Sequence, residues 1–146
     1  MLKRMLLAIL LVAASSTIAD ARNTRLLLKI QDVLNRPDFQ DKVGNSVAFY
    51  FSNQPQPQAA QTMGEFVTNK KTNSFGKSDD LACQWAMLSA LIQFRDRALS
   101  EGGNAVVNLQ SYYDKNEIPD KSEYECHAGA LVAGVALKGT VAKVTK

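Results

Sequence analysis

At 146 residues, with 17 Lys and Arg against 14 Asp and Glu, the chain is long enough for one domain with a real core. A net charge of +3 is too mild for a nucleic-acid binder, which carries a clustered basic face. Two cysteines and one histidine offer no ligand spacing of the zinc type.

Met1–Ala21 reads as a secretory signal. Lys3 and Arg4 supply a positive n-region, Met5–Ala14 is an unbroken apolar run, and Ala19-Asp20-Ala21 is an A-x-A cleavage pattern. A membrane anchor fits less well, because the apolar run has 10 residues and a spanning helix needs about 20. No cysteine follows the run to carry a lipid. Cleavage is therefore expected after Ala21, releasing a periplasmic protein that is one domain over residues 22–146. Loss of Lys3, Arg4 and Asp20 leaves a net charge of about +2. No later segment is apolar for long enough to span a membrane.

Arg22–Val33 gathers Leu26, Leu27, Leu28, Ile30 and Val33. So short a cluster suits a strand or one helical turn equally. Leu28–Asn35 also suits a helix that Arg36-Pro37 would end. Gly44-Asn45 marks a turn, and Ser46–Phe51 is a β-branched and aromatic strand. Ser52–Gln61, with two prolines and four glutamines, is an exposed loop. Gly64–Thr68 is a second strand, expected to pair with Ser46–Phe51 across that loop. Asn69–Ser78 is a polar, basic loop holding Lys70, Lys71 and Lys77.

Asp79–Glu101 is the clearest helix. Ser78 or Asp79 can cap it, and Asp79 and Asp80 suit the positive end of its dipole. Leu81, Trp85, Leu88, Ile92 and Leu99 recur at helical spacing, and Leu91 and Phe94 widen the stripe. Arg95 and Arg97 lie near the other end, where Gly102-Gly103 supplies the left-handed stop. Asn104–Tyr113 follows as a strand whose Ala105, Val107 and Leu109 share an apolar face. Asp114–Ser122 is a solvent loop, and Tyr124–Val144 is the final β region, apolar on both faces and so covered on both. The order predicts an α+β fold, a small mostly antiparallel sheet with one long helix packed on it.

Two cysteines in an exported chain pair as a structural disulfide. Cys83 in the helix and Cys126 near the start of the last β region would tether helix to sheet. The closed loop of about 44 residues is worth about 4 kcal/mol in the chain-entropy model.

Three stretches carry a resemblance: Cys83 at the helix start, Gly103-Asn104-Ala105-Val106-Val107 after it, and Cys126 before a strand of small residues. Together they resemble the periplasmic core of the stress-sensing outer-membrane lipoprotein of the Rcs phosphorelay, and the broader YbjQ-like family of small α+β domains. Thr68–Asn73, Gly102–Tyr113 and Tyr124–Lys138 look more closely like a group of small exported bacterial proteins that often carry the label "excinuclease ATPase subunit". The resemblance implies a helix packed on a layer of strands, a helix-to-strand disulfide and homo-oligomers. This chain lacks the sensor's lipid-bearing cysteine and second disulfide, so the sensor's signalling role does not carry over.

The ATPase label finds little support. Gly76-Lys77-Ser78 looks like the end of a P-loop, but the cradle needs a glycine five residues before Gly76 and a strand leading in. Lys71 stands there, among polar residues. His127, beside Cys126, could work as a thiol–imidazole pair only with a free thiolate, which a disulfide removes. The acidic pairs Asp79-Asp80 and Glu123/Glu125 suit helix-dipole and edge charges better than paired acid–base work. Tyr112, Tyr113 and Tyr124 flank the Asp114–Ser122 loop and offer an aromatic partner interface, against ordinary sheet-edge packing. Lys70, Lys71 and Lys77 suit an anionic surface or a solvated loop. The expectation is a non-enzymatic periplasmic binding or sensory module acting through protein contacts or self-association, with no cofactor, metal or nucleic acid. The alternative is a thiol, redox or metal-binding envelope protein using Cys83, Cys126 and His127.

Overall fold

The last strand holds the sheet together. In the computed structural model, which describes residues 22–145, the elements run β1 (Thr24–Lys29), α1 (Ile30–Leu34), α2 (Phe39–Lys42), β2 (Ala48–Phe51), β3 (Ala59–Asn73), α3 (Asp79–Ser100), β4 (Ala105–Ser111), β5 (Glu123–Ala128) and β6 (Val132–Val144). The signal and its cleavage point lie outside the described residues. One six-stranded sheet is ordered β1-β5-β6-β4-β2, and β3 lies along the other side of β6. Every pairing is antiparallel except β2 with β4, which is parallel. The sheet is therefore mixed, and it curls around α3.

The helix begins and ends where the sequence places it. The Ser78 hydroxyl accepts the Leu81 N–H at 3.2 Å, and Asp79 and Asp80 occupy the first turn. Gly102 takes the left-handed φ of +81° at the far end, and the Gly103 N–H donates to the Ala98 carbonyl at 2.7 Å. The buried line follows expectation in part. It runs through Ala82, Cys83, Ala86, Met87, Leu88, Ala90, Leu91, Phe94 and Ala98, so Leu88, Leu91 and Phe94 are buried as expected, while Leu81 and Leu99 stay exposed. Alanines on this face let the helix lie close on the sheet, and the larger side chains fill the space around them. Each large apolar side chain so buried contributes about 1.5–3 kcal/mol. Trp85 is half buried at the side, with the Arg36 guanidinium 4.4 Å and the Lys42 ammonium 5.3 Å from its ring centre.

Cys83 and Cys126 form the predicted disulfide, with 5.9 Å between their Cα atoms, and both residues are wholly buried. It joins α3 to β5.

Four local expectations are corrected. The segment 64–68 is part of the much longer β3, which pairs with β6 and not with 46–51. Asn69–Asn73 is strand rather than loop. The region 124–144 is a hairpin of two strands turning at Gly129–Leu131. In β4, Asn108 bulges at φ +49° and shifts the register against both neighbours. Leu109 consequently joins Val106 in the core under α3, while Ala105 and Val107 pack on the opposite face with Ala142 and Val144. Gly139 of β6 allows this crowding. A Cβ there would lie 2.8 Å from a Val106 methyl and 3.0 Å from one of Leu109.

Candidate functional sites at the two ends of the β1–β5 ladder

Alternation along β5 sends Tyr124 and Cys126 into the core and turns Glu125 and His127 to the other face. Glu125 is only 5 % exposed. Its carboxylate lies 2.7 Å from His127 Nε2 on one oxygen and accepts from Arg25 at 3.1 Å on the other. Its N–H donates to the Ser111 hydroxyl at 2.9 Å. His127 Nδ1 faces the Asn23 side-chain oxygen at 3.3 Å. The Tyr113 ring stacks on the imidazole, 3.7 Å between centres and 10° from parallel. Burial raises the pKa of Tyr113, and Asp114 and Glu125 raise it further.

A carboxylate behind an imidazole is the arrangement of a general base, but here both ring nitrogens meet side chains of the protein. Cys126 faces the opposite side of the sheet inside the disulfide. What the cluster does visibly is tie β1 to β5 and hold the Tyr113 turn against the sheet. Beside it opens a cleft of about 560 Å³ lined by Arg22, Asn23, Lys71, Tyr113, His127 and the β5–β6 turn. Arg22 closes one side through two bonds to the Asp79 carboxylate, at 2.7 and 3.0 Å. Hydrogen bonding to Arg22 holds the Asp79 carboxyl below its ordinary pKa.

The other end of the ladder carries a second cleft, of about 580 Å³, lined by Lys29, Ile30, Gln31, Leu34, Phe49, Phe51, Gln54 and Lys121–Glu123. It lies between α1 and β2, the strand at the far end of the sheet. Ala48 and Ser52 donate their N–H groups to the carbonyls of Asn104, just before β4, and Leu109 within it, so Phe49 and Phe51 turn their backbone groups away from β4. Phe51 is already satisfied: its N–H donates to the Gln54 side chain at 2.8 Å, and its carbonyl accepts from Gln56 at 2.8 Å. Gln56 also accepts the N–H freed by the bulge at Asn108, at 2.9 Å. The glutamine loop thus blunts one end of the β2 edge and leaves the Phe49 end open beside the cleft.

The predicted aromatic patch is not assembled. Tyr124 is 1 % exposed, and its hydroxyl makes no hydrogen bond to any described group. Tyr113 is taken up by His127, and Tyr112 lies beneath the Lys138 ammonium at 4.9 Å. Lys77 and Ser78 of the P-loop-like triplet serve the turn and the helix cap, Lys77 donating to the Asn73 carbonyl at 2.9 Å. Contrary to expectation a strand, β3, does lead into that triplet, yet the required glycine is still Lys71. Among the described residues no three His, Cys, Asp or Glu side chains converge as metal ligands would. From sequence Glu125 was read only as an edge charge paired with Glu123, and the open edge of β2 was not singled out. Glu125 stands two residues from His127 within a strand, a spacing that puts both on one face.

No family model, curated protein or solved structure matches this chain. No described helix is long and apolar enough to cross a membrane, and this fact and the disulfide are both compatible with an exported protein.

Proposed function

We propose that this protein is a non-enzymatic module of the periplasm, released by cleavage after Ala21, which receives an extended segment of a partner protein in the cleft between α1 and β2. One observation carries the proposal: the β2 edge is blunted by Gln54 and Gln56 at Phe51 and left open at Phe49, beside an apolar floor of Ile30, Leu34 and Phe51. An exposed strand edge offers backbone hydrogen bonds, and adjacent side-chain pockets give selectivity. Lys29 and Lys121 outnumber Glu123 on the rim and favour an acidic residue in the bound segment.

Selection from a displayed peptide library, followed by amide hydrogen exchange on the complex, tests this. The Phe49 amide should gain protection on binding, and Leu34→Ser should abolish binding while leaving the disulfide intact. Selected peptides that protect only Asn23, Tyr113 and His127 would overturn the placement. A second reading, redox or thiol chemistry at Cys83 and Cys126, is less well supported because both sulfurs are wholly buried. It would require an activity that serine at both positions abolishes, rather than a melting temperature that it merely lowers.

A further inference from the structure

The opposite end of the molecule has a different character. The turn after β3 and the turn between β5 and β6 lie side by side, bound by the Ser74 N–H to the Leu131 carbonyl at 2.9 Å and by the Ser74 hydroxyl to the Gly129 carbonyl at 2.7 Å. Each turn lifts a large apolar side chain into solvent. Phe75 is 72 % exposed and Leu131 65 %, and the neighbouring Val132 is half exposed. Phe75 belongs to neither apolar cluster of the fold. Two adjoining turns with such tips form an apolar point rather than a scattered pair of residues.

The charges around the point are mainly positive. Lys71, in the adjoining cleft, and Lys77, in the same turn as Phe75, pair with no carboxylate among the described residues. Arg22 and Asp79 neutralise each other, and Asp80 on the first turn of α3 is the opposing charge. Arg22 lines the same cleft.

We propose that the tip formed by Phe75 and Leu131 docks the protein on an anionic phospholipid surface, the two side chains entering the headgroup region and Lys71 and Lys77 lying against the phosphates. Apolar residues flanked by lysines bind such surfaces by adding burial to electrostatic attraction. This site is separate from the cleft at β2, and either proposal can fail without the other.

Cosedimentation of the full protein, its N-terminus read by mass, with phosphatidylcholine vesicles with and without about one-quarter phosphatidylglycerol tests it. Binding is expected only with the anionic lipid, and should weaken as salt is raised. Phe75→Ser combined with Leu131→Ser should lower the bound partition by about tenfold or more. Lys71→Gln and Lys77→Gln should each lower it by about fivefold. All four positions are exposed, so an unchanged melting temperature shows that the variants remain folded. Phe75→Trp should give fluorescence that brominated acyl chains quench. Binding equal on both lipids, binding that survives the double serine variant, or an unquenched Trp at 75 would each overturn the proposal. So would a dimer or a soluble protein complex that the same double substitution dissolves while vesicle binding is unaffected.

Discussion

Removing the tether between α3 and β5 by Cys83→Ala with Cys126→Ala isolates the largest single covalent constraint in the fold. The bridge spans 43 residues of sequence, and the closed loop removes about 4 kcal/mol of chain entropy from the unfolded state. Both sulfurs are wholly buried, so truncation adds a cavity cost of about 1–2 kcal/mol. The combined loss of about 5–6 kcal/mol is comparable with the whole net stability of many domains this size. Urea unfolding followed through Trp85, the only tryptophan, should show the midpoint falling by about 2–3 M. The slope with denaturant should rise, because an untethered unfolded chain exposes more surface. A loss below about 1 kcal/mol with an unchanged slope would refute the reasoning, since the tether would then constrain neither state.

Tyr124→Phe should be neutral or stabilising by about 1 kcal/mol, because the hydroxyl it removes is buried with no hydrogen-bond partner among the described residues; a fall in melting temperature would show that the hydroxyl is satisfied in solution. Gly139→Ala should cost about 1–3 kcal/mol by forcing a methyl against Val106 and Leu109, read as a lower urea midpoint. The Asp79 carboxyl, hydrogen bonded to Arg22, has a folded pKa below its ordinary value of 3.8, so the stability it contributes is full above the unfolded pKa and is lost as pH falls through the folded one. Asp79→Asn should therefore flatten stability against pH below about pH 4, with a small amplitude because the pair is near the surface. Identical acid profiles for variant and wild type would count against that pair.

The parts of this fold legible in sequence are those fixed locally. The Ser78 cap and the Gly102 stop bracket α3, and both depend on residues within one turn. The disulfide followed from counting two cysteines in a chain whose first residues read as an export signal. What sequence misplaced depends on distant neighbours. β3 is polar along most of its length because one edge and most of one face meet water, so Asn69–Asn73 read as loop until β6 supplied its partner. The α3 stripe was drawn through large side chains, whereas close approach to the sheet selects alanines at 82, 86, 90 and 98. The bulge at Asn108 moves Leu109 to the face opposite Val107, which strict alternation cannot foresee. At the candidate sites, His127 was noticed as the only histidine. Its real neighbours, Arg25 and Asn23, come from about 100 residues away in sequence, and the open β2 edge is visible only once its parallel partner is known.

β6 closes the described chain and yet runs beside β3, β4 and β5. None of those three strands can complete its ladder until the 13-residue β6 is in place. Strand order thus makes the middle of the sheet a single event, in which three ladders wait on one strand and close together.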